Sequence, residues 1–186
     1  VTGTDDTIAA DGFVTLREAL TAANTNAASG DAPAGDAGLD TINFNIAGAP
    51  GTVHTILPAS ALPTITDPVV IDGTTQPDFA GTPLIELDGS AAGAGVNGLT
   101  VTAGDSTVRG LVINNFLANG ILLSGGGHDL VAGNYLGTDS SGALSRGNAL
   151  SGILIQSSEN TVGGTGARDG NVISANKGTL SGLAAN

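Results

Sequence analysis

The chain has no cysteine, methionine or tryptophan, a single tyrosine, and one lysine beside four arginines. Each shortage excludes something. Without cysteine there are no disulfides, no thiolate chemistry, no iron–sulfur cluster and no cysteine-ligated zinc. Two histidines, His54 and His128, leave little for a histidine metal site. Five basic residues against 17 acidic ones, a net charge of −12, cannot neutralise a phosphate backbone, so nucleic acid is not a partner. Anionic membrane surfaces fail on the same ground. No apolar run approaches the ~18 residues of a membrane-spanning helix, so membrane insertion is not expected. Charged residues make up only 12 % of the chain, against about 25 % in ordinary globular proteins.

What is abundant is glycine, 30 of 186 residues, and aliphatic residues spread throughout. At 40 % hydrophobic the chain can bury a core, and its length suits one domain. This acidic, cysteine-free composition fits an extracellular or cell-surface bacterial protein.

Only one segment has helical periodicity. Leu16, Ala19, Leu20 and Ala23 form an i, i+3, i+4, i+7 stripe. Thr15 with Glu18 forms a capping box, which predicts a helix over about 16–24. From Asp40 the period becomes two, with Ile42, Phe44 and Ile46 alternating with asparagines. Short strand signals follow at 69–72, 84–88, 99–102, 107–113, 121–124, 130–136, 153–156, 161–162 and 171–173.

Internal repeats select the architecture. Gly98-Leu99-Thr100-Val101, Gly120-Ile121-Leu122-Leu123, Gly152-Ile153-Leu154-Ile155 and Gly182-Leu183 are versions of one phrase, spaced 22, 32 and 30 residues. Two further phrases recur between them in fixed order, one around Val108, Val131 and Val162 and the other around Ile113, Leu136 and Ile173. Three short strands per repeat describe a coil of a parallel β-helix, with strands stacked about 4.8 Å apart. A β-sandwich would need hairpin turns and would keep no such order. The expected fold is therefore all-β, a parallel β-helix over 41–186, with residues 1–40 forming an N-terminal amphipathic capping helix and loop. The phrase opening at Gly182 suggests that the natural chain continues beyond Asn186.

Alternation places Leu99/Val101, Ile121/Leu123, Ile153/Ile155, Val108/Val131/Val162 and Ile113/Leu136/Ile173 in interior ladders. Asn134 and Asn171 read as turn formers that bond to neighbouring backbone.

The segment Val14-Thr15-Leu16-Arg17-Glu18-Ala19-Leu20, followed by Ala22-Ala23-Asn24, resembles the "CSLREA" segment of large secreted bacterial β-helix proteins, with Val14 in place of the cysteine. Asp40-Thr41-Ile42-Asn43-Phe44, Val70-Ile71-Asp72-Gly73-Thr74-Thr75-Gln76-Pro77 and Gly133-Asn134-Tyr135-Leu136-Gly137-Thr138-Asp139 are similar to the same group. The resemblance implies a right-handed β-helix with an N-terminal cap, in surface or adhesin-like proteins. It implies no activity, because the fold also hosts lyases, hydrolases and tailspikes.

The candidate chemistry is acidic. If Val69–Asp72 and Ile85–Asp88 occupy successive coils, Ile71 stacks on Leu87 and Asp72 on Asp88, with Glu86 on the same outer face. Such a cluster could hold Ca2+, or act as an acid/base pair in a glycoside hydrolase or polysaccharide lyase. In the plainer reading, Asp72-Gly73 and Asp88-Gly89 merely end strands. Thr102, Ser124 and Gln156 continue that ladder without a base. Gly137-Thr138-Asp139-Ser140-Ser141-Gly142 has the composition of a cation loop but not the spacing of an EF-hand, which makes Asp139 a third metal candidate. His128 reads as an exposed corner residue. No G-x-S-x-G elbow and no phosphate loop occur.

Outward apolar columns, one of Thr100, Leu122 and Leu154 and another of Val112, Tyr135 and Val172, point to a partner or to cover by an insertion such as 137–151. The expectation is a non-catalytic structural or adhesive module. The alternatives are a polysaccharide-binding or polysaccharide-cleaving β-helix using Asp72, Glu86 and Asp88, and a subunit of an extracellular filament. Self-association or a glycan partner follows from these readings, with Ca2+ as the one small ligand considered.

Overall fold

The computed structural model describes residues 1–178 of the chain. A single α-helix, α1 (Leu16–Thr25), precedes the strands. In chain order these are β1 (Asp40–Asn43), β2 (His54–Ile56), β3 (Val69–Asp72), β4 (Ile85–Asp88), β5 (Leu99–Val101), β6 (Thr107–Arg109), β7 (Leu111–Asn114), β8 (Ile121–Leu123), β9 (Leu130–Ala132), β10 (Tyr135–Leu136), β11 (Ile153–Ile155), β12 (Thr161–Val162) and β13 (Val172–Ile173). All pair in parallel, in three sheets ordered β1-β3-β6-β9-β12, β2-β4-β7-β10-β13 and β5-β8-β11. From β3 onward the chain visits the first, second and third sheet in turn and then returns to the first.

The helix begins where the capping box predicts. Thr15 Oγ1 accepts from the Glu18 amide at 3.2 Å, and Glu18 Oε2 accepts from the Thr15 amide at 2.9 Å. Both side chains are buried, and Glu18 Oε1 also accepts from Ala9 N–H, which ties the N-terminal segment to the helix. Leu16, Leu20 and Ala23 join the same core as Ile42 and Phe44 of the first strand region. Thr15→Ala removes a cap and is expected to cost about 1–2 kcal/mol in thermal or chemical denaturation.

Inward side chains stack residue on residue. One ladder runs Ile42–Ile71–Val108–Val131–Val162, and a second runs Ile56–Leu87–Ile113–Leu136–Ile173. In the third sheet Leu99, Ile121 and Ile153 align, as do Val101, Leu123 and Ile155. The predicted ladders thus pair in the predicted register. Their last rungs do not share the burial: Ile155, Val162 and Ile173 are exposed, because no strand among the described residues stacks beyond them. Gly182-Leu183, the last predicted phrase, lies outside the described residues.

The structure separates the repeated phrases as distinct strands and adds one strand that no phrase announces. Segments 107–113 and 130–136 each form two strands, broken at Gly110 (φ 70°) and Gly133 (φ 66°), left-handed positions that glycine occupies without a Cβ clash. Each glycine turns the chain from the first sheet into the second. The strand β2 carries no repeated phrase, yet it completes the second sheet beside β4.

Asparagines lock the corners between sheets. Asn134 is fully buried; its Oδ1 accepts from Leu111 N–H, and its Nδ2 donates to Val108 O and Asn171 Oδ1. Asn171 repeats the bond one layer on, donating to Val131 O. Asn148 and Asn176 form a second column in the same manner. The turn-forming reading of Asn134 and Asn171 therefore holds, with the bonds running between layers.

Candidate functional site

The proposed stacking of Asp72 on Asp88 is not what the sheets do. The neighbours of Asp72 in its ladder are Asn43 and Arg109, and the neighbour of Asp88 in another sheet is Asn114. Ile71 likewise aligns with Ile42 and Val108, not with Leu87. Val69–Asp72 and Ile85–Asp88 are consecutive strands of one turn of the chain, each leading into a single 3-10 turn that its terminal Asp caps. Thr102, Ser124 and Gln156 belong to the third sheet's side and do not continue the column.

Asp72 is held on every side. Oδ1 accepts from Thr74 N–H at 3.0 Å and from Thr74 Oγ1 at 2.6 Å, and Oδ2 accepts from Arg109 Nη2 at 2.5 Å. Burial pushes this carboxyl upward, but the bonds from Arg109 and Thr74 outweigh it and hold the group below the usual carboxylate range. The hydrogen bond to Asp72 in turn raises the pKa of Arg109. A carboxylate held ionised in this way is no proton donor at neutral pH and already has its counter-ion.

Glu86 and Asp88 do come together, around Arg146. Buried Glu86 accepts from Thr55 Oγ1 (2.7 Å), Asn114 Nδ2 (2.8 Å) and Arg146 Nη1 (3.3 Å). Asp88 accepts from Ser90 N–H and Asn115 Nδ2, with Arg146 Nη1 at 3.9 Å. Arg146 arrives on the 137–151 insertion, whose backbone bonds Arg146 N–H to Gly137 O and Asn115 N–H to Arg146 O. The insertion explains a further correction. Val112, on an outward column expected to meet a partner or to be covered by an insertion such as 137–151, is fully buried under that insertion, so the partner reading does not hold for it. Tyr135 and Val172 are partly buried, and the ring of Tyr135 packs near Gly142 of the insertion. Leu122 and Leu154 remain half-buried in register on the outer side of the third sheet.

Asp139 serves its own loop. Its carboxylate accepts from Ser141 Oγ (2.7 and 2.9 Å) and from the Leu144 and Ala143 amides. The Ser141 bond leads the contributions that lower its pKa. The three metal candidates Asp72, Asp88 and Asp139 thus each have protein partners. Among the described residues no three of His, Asp and Glu converge as a metal-binding group. His128, at a left-handed corner (φ 65°), is exposed and pairs with Glu159.

Two recesses stand out. One, of about 260 Å³ between α1 and β1, is walled mainly by small residues such as Ala19, Ala22, Ala23 and Pro33, with Asp40 at its edge. The other, of about 290 Å³ on the flank of the first sheet, is lined by Thr74, Phe79, Arg109, Gly133, Arg168 and Asp169. There Arg168 lies over the Phe79 ring, its guanidinium carbon 5.9 Å from the ring centroid. Sequence reasoning missed this grouping, because its members are scattered between positions 74 and 169 and meet through the Asp72–Arg109 register and the bond from Gly133 N–H to Asp169 O. Scarcity was the available signal: two of five basic residues share one site. Compared with models of protein families, with curated proteins and with solved structures, the chain matches none of them.

Proposed function

We propose that the chain is a right-handed parallel β-helix closed at its N-terminal end by α1. We further propose that it serves as a rigid, non-catalytic module outside a bacterial cell, displaying its flanks or associating through them. One observation supports this most directly: the candidate catalytic carboxylates are engaged in the protein's own bonds, Asp72 with Arg109 and Glu86 with Arg146, Asn114 and Thr55. An acid/base pair needs at least one carboxyl free to meet substrate. The cyclic visiting of three parallel sheets and the likeness of residues 14–24 to the caps of secreted β-helix proteins support the architecture.

Activity screening tests the reading. Neutral and acidic polysaccharides incubated with the protein, with and without Ca2+, are expected to show no change in chain length or reducing ends. Depolymerisation that disappears in Asp72→Asn or Glu86→Gln would overturn it in favour of a polysaccharide-cleaving enzyme.

A further inference from the structure

We propose that the recess between Phe79, Arg109 and Arg168 binds a single uronic-acid unit, its carboxylate on the two guanidinium groups and its hydroxyls on Asp169 and Thr74.

Arg168 is set apart from the other arginines by its partners. Acidic residues outnumber basic ones 17 to 5, so each guanidinium has a surplus of possible partners. Arg17 and Arg146 take them, pairing with Asp6 and with Glu86. Among the described residues Arg168 makes no ion pair or side-chain hydrogen bond and is held by shape instead. Phe79 lies on one side. Gly81 is also beside it: an added Cβ there would stand 3.0 Å from Nε and 3.2 Å from Cζ. The glycine leaves the slot open, and the ring attracts the cation without consuming its N–H groups. Five donors in a planar fork are left for a ligand.

The rest of the recess complements this fork. Arg109 spends Nη2 on Asp72 and keeps its other donors. Two carboxylates stand nearby, and the charges of both Asp72 and Asp169 act on Arg109. Asp72 is saturated by Thr74 and Arg109, and Asp169 Oδ2 is held by Gly166 N–H at 2.6 Å in its own loop. Asp169 Oδ1 and the lone pairs of Thr74 Oγ1 remain as acceptors. Planar guanidinium donors select a carboxylate, and adjacent acceptors select hydroxyls. A ligand carrying both on one small ring is a sugar acid. The recess, at about 290 Å³, is at the lower limit of small-molecule sites (~300–1,000 Å³) and suits one ring. A net charge of −12 repels long polyanions, which favours an isolated or terminal unit. The proposal does not depend on the scaffold reading, since a display module would carry such a site on its flank.

Amide-resolved NMR titration with digalacturonic acid tests it, using neutral galactobiose and succinate as comparison ligands. The expected result is saturable shifts confined to the surroundings of residues 74–81, 109, 132–133 and 166–169, with no response to galactobiose and at least tenfold weaker binding of succinate. Arg168→Gln, at an exposed position, is expected to keep the parent spectrum elsewhere and weaken digalacturonate at least tenfold. Lys177→Gln removes the same charge at a distance and is expected to change affinity less than twofold. No saturable shift, parent-like affinity in Arg168→Gln, or an equal loss in Lys177→Gln would overturn the site. Succinate binding as tightly as digalacturonate would overturn the sugar acid as its ligand.

Discussion

Asn148→Ala is expected to destabilise the protein by about 2–5 kcal/mol, read as a lower denaturant midpoint at unchanged slope. Asn148 is fully buried at the corner between the second and third sheets. Its Oδ1 accepts from Phe116 N–H at 3.0 Å, and its Nδ2 donates to Ile113 O at 3.2 Å and to Asn176 Oδ1 at 2.9 Å. Alanine leaves the Phe116 amide without a partner in a site that excludes water, at a cost of about 1–3 kcal/mol, and takes one of two donors from the Ile113 carbonyl, which keeps Gly137 N–H at 3.0 Å. A space the size of the lost amide adds to the cost. Asn148→Asp separates hydrogen bonding from packing. It has nearly the same shape and keeps the acceptor for Phe116, but it turns an oxygen toward Ile113 O and Asn176 Oδ1. It is expected to be as damaging as alanine at neutral pH and to recover when the carboxyl is protonated. A loss under 1 kcal/mol for both variants would mean that the asparagine columns are not what holds successive layers in register.

The sequence carried the inner ladders plainly, because alternation of aliphatic residues is a direct consequence of burying one face of a strand. It also carried α1, through the Thr15–Glu18 box. It did not carry β2, since His54-Thr55-Ile56 repeats no phrase, and the error at the candidate site followed from that omission. Val70-Ile71-Asp72-Gly73 and Glu86-Leu87-Asp88-Gly89 look like equivalent positions of successive coils. Their likeness reports a shared turn: each Asp accepts from the amide two residues on, Thr74 or Ser90, at the start of a single 3-10 turn. Only β2 shows that the second strand already has a neighbour in another sheet, so sequence likeness alone stacks the two carboxylates. The true neighbour of Asp72 is Arg109, which converts an expected repulsion into an ion pair. The 137–151 insertion was legible as one of two possible covers of the outward column, and the structure selects it over a partner for Val112. Strand parity correctly points Val112 away from the ladder, but parity cannot show that a distant loop returns to bury it.

Asp129→Asn is expected to stabilise the protein by about 1–3 kcal/mol at neutral pH, because it replaces a buried carboxylate that has no donor on Oδ2 by a neutral side chain. Asp129 sits in a column like those of Asn134 and Asn148: its Oδ1 accepts from Ser106 N–H at 3.0 Å, and its own amide donates to Asn160 Oδ1 at 3.0 Å. In the asparagine columns the second side-chain atom is an amide nitrogen that donates to backbone. Here it is Oδ2, buried and without a hydrogen-bond partner. Burial is the main cause of a carboxyl pKa raised above its ordinary 3.8; the Ser106 amide opposes it, Asp105 adds to it and His128 opposes it. A folded-state pKa above the unfolded one means that the folded protein holds the proton more tightly. This stabilising contribution is complete below the unfolded value and is lost as pH rises through the folded one. Asparagine carries its amide at every pH. The gain of Asp129→Asn over the parent is therefore expected to be small below pH 3.8, to grow across the window above it, and to level off at neutral pH. Taking the difference between variant and parent cancels the opposite dependence of Asp72 and Asp139, whose lowered pKa values stabilise at higher pH. Exposed Asp5→Asn removes the same charge without a buried oxygen and is expected to gain under 0.5 kcal/mol, the range of ordinary surface changes at about ±0.5 kcal/mol. A flat difference across pH, or an equal gain in Asp5→Asn, would show that Asp129 has a donor in solution and that its column is already satisfied.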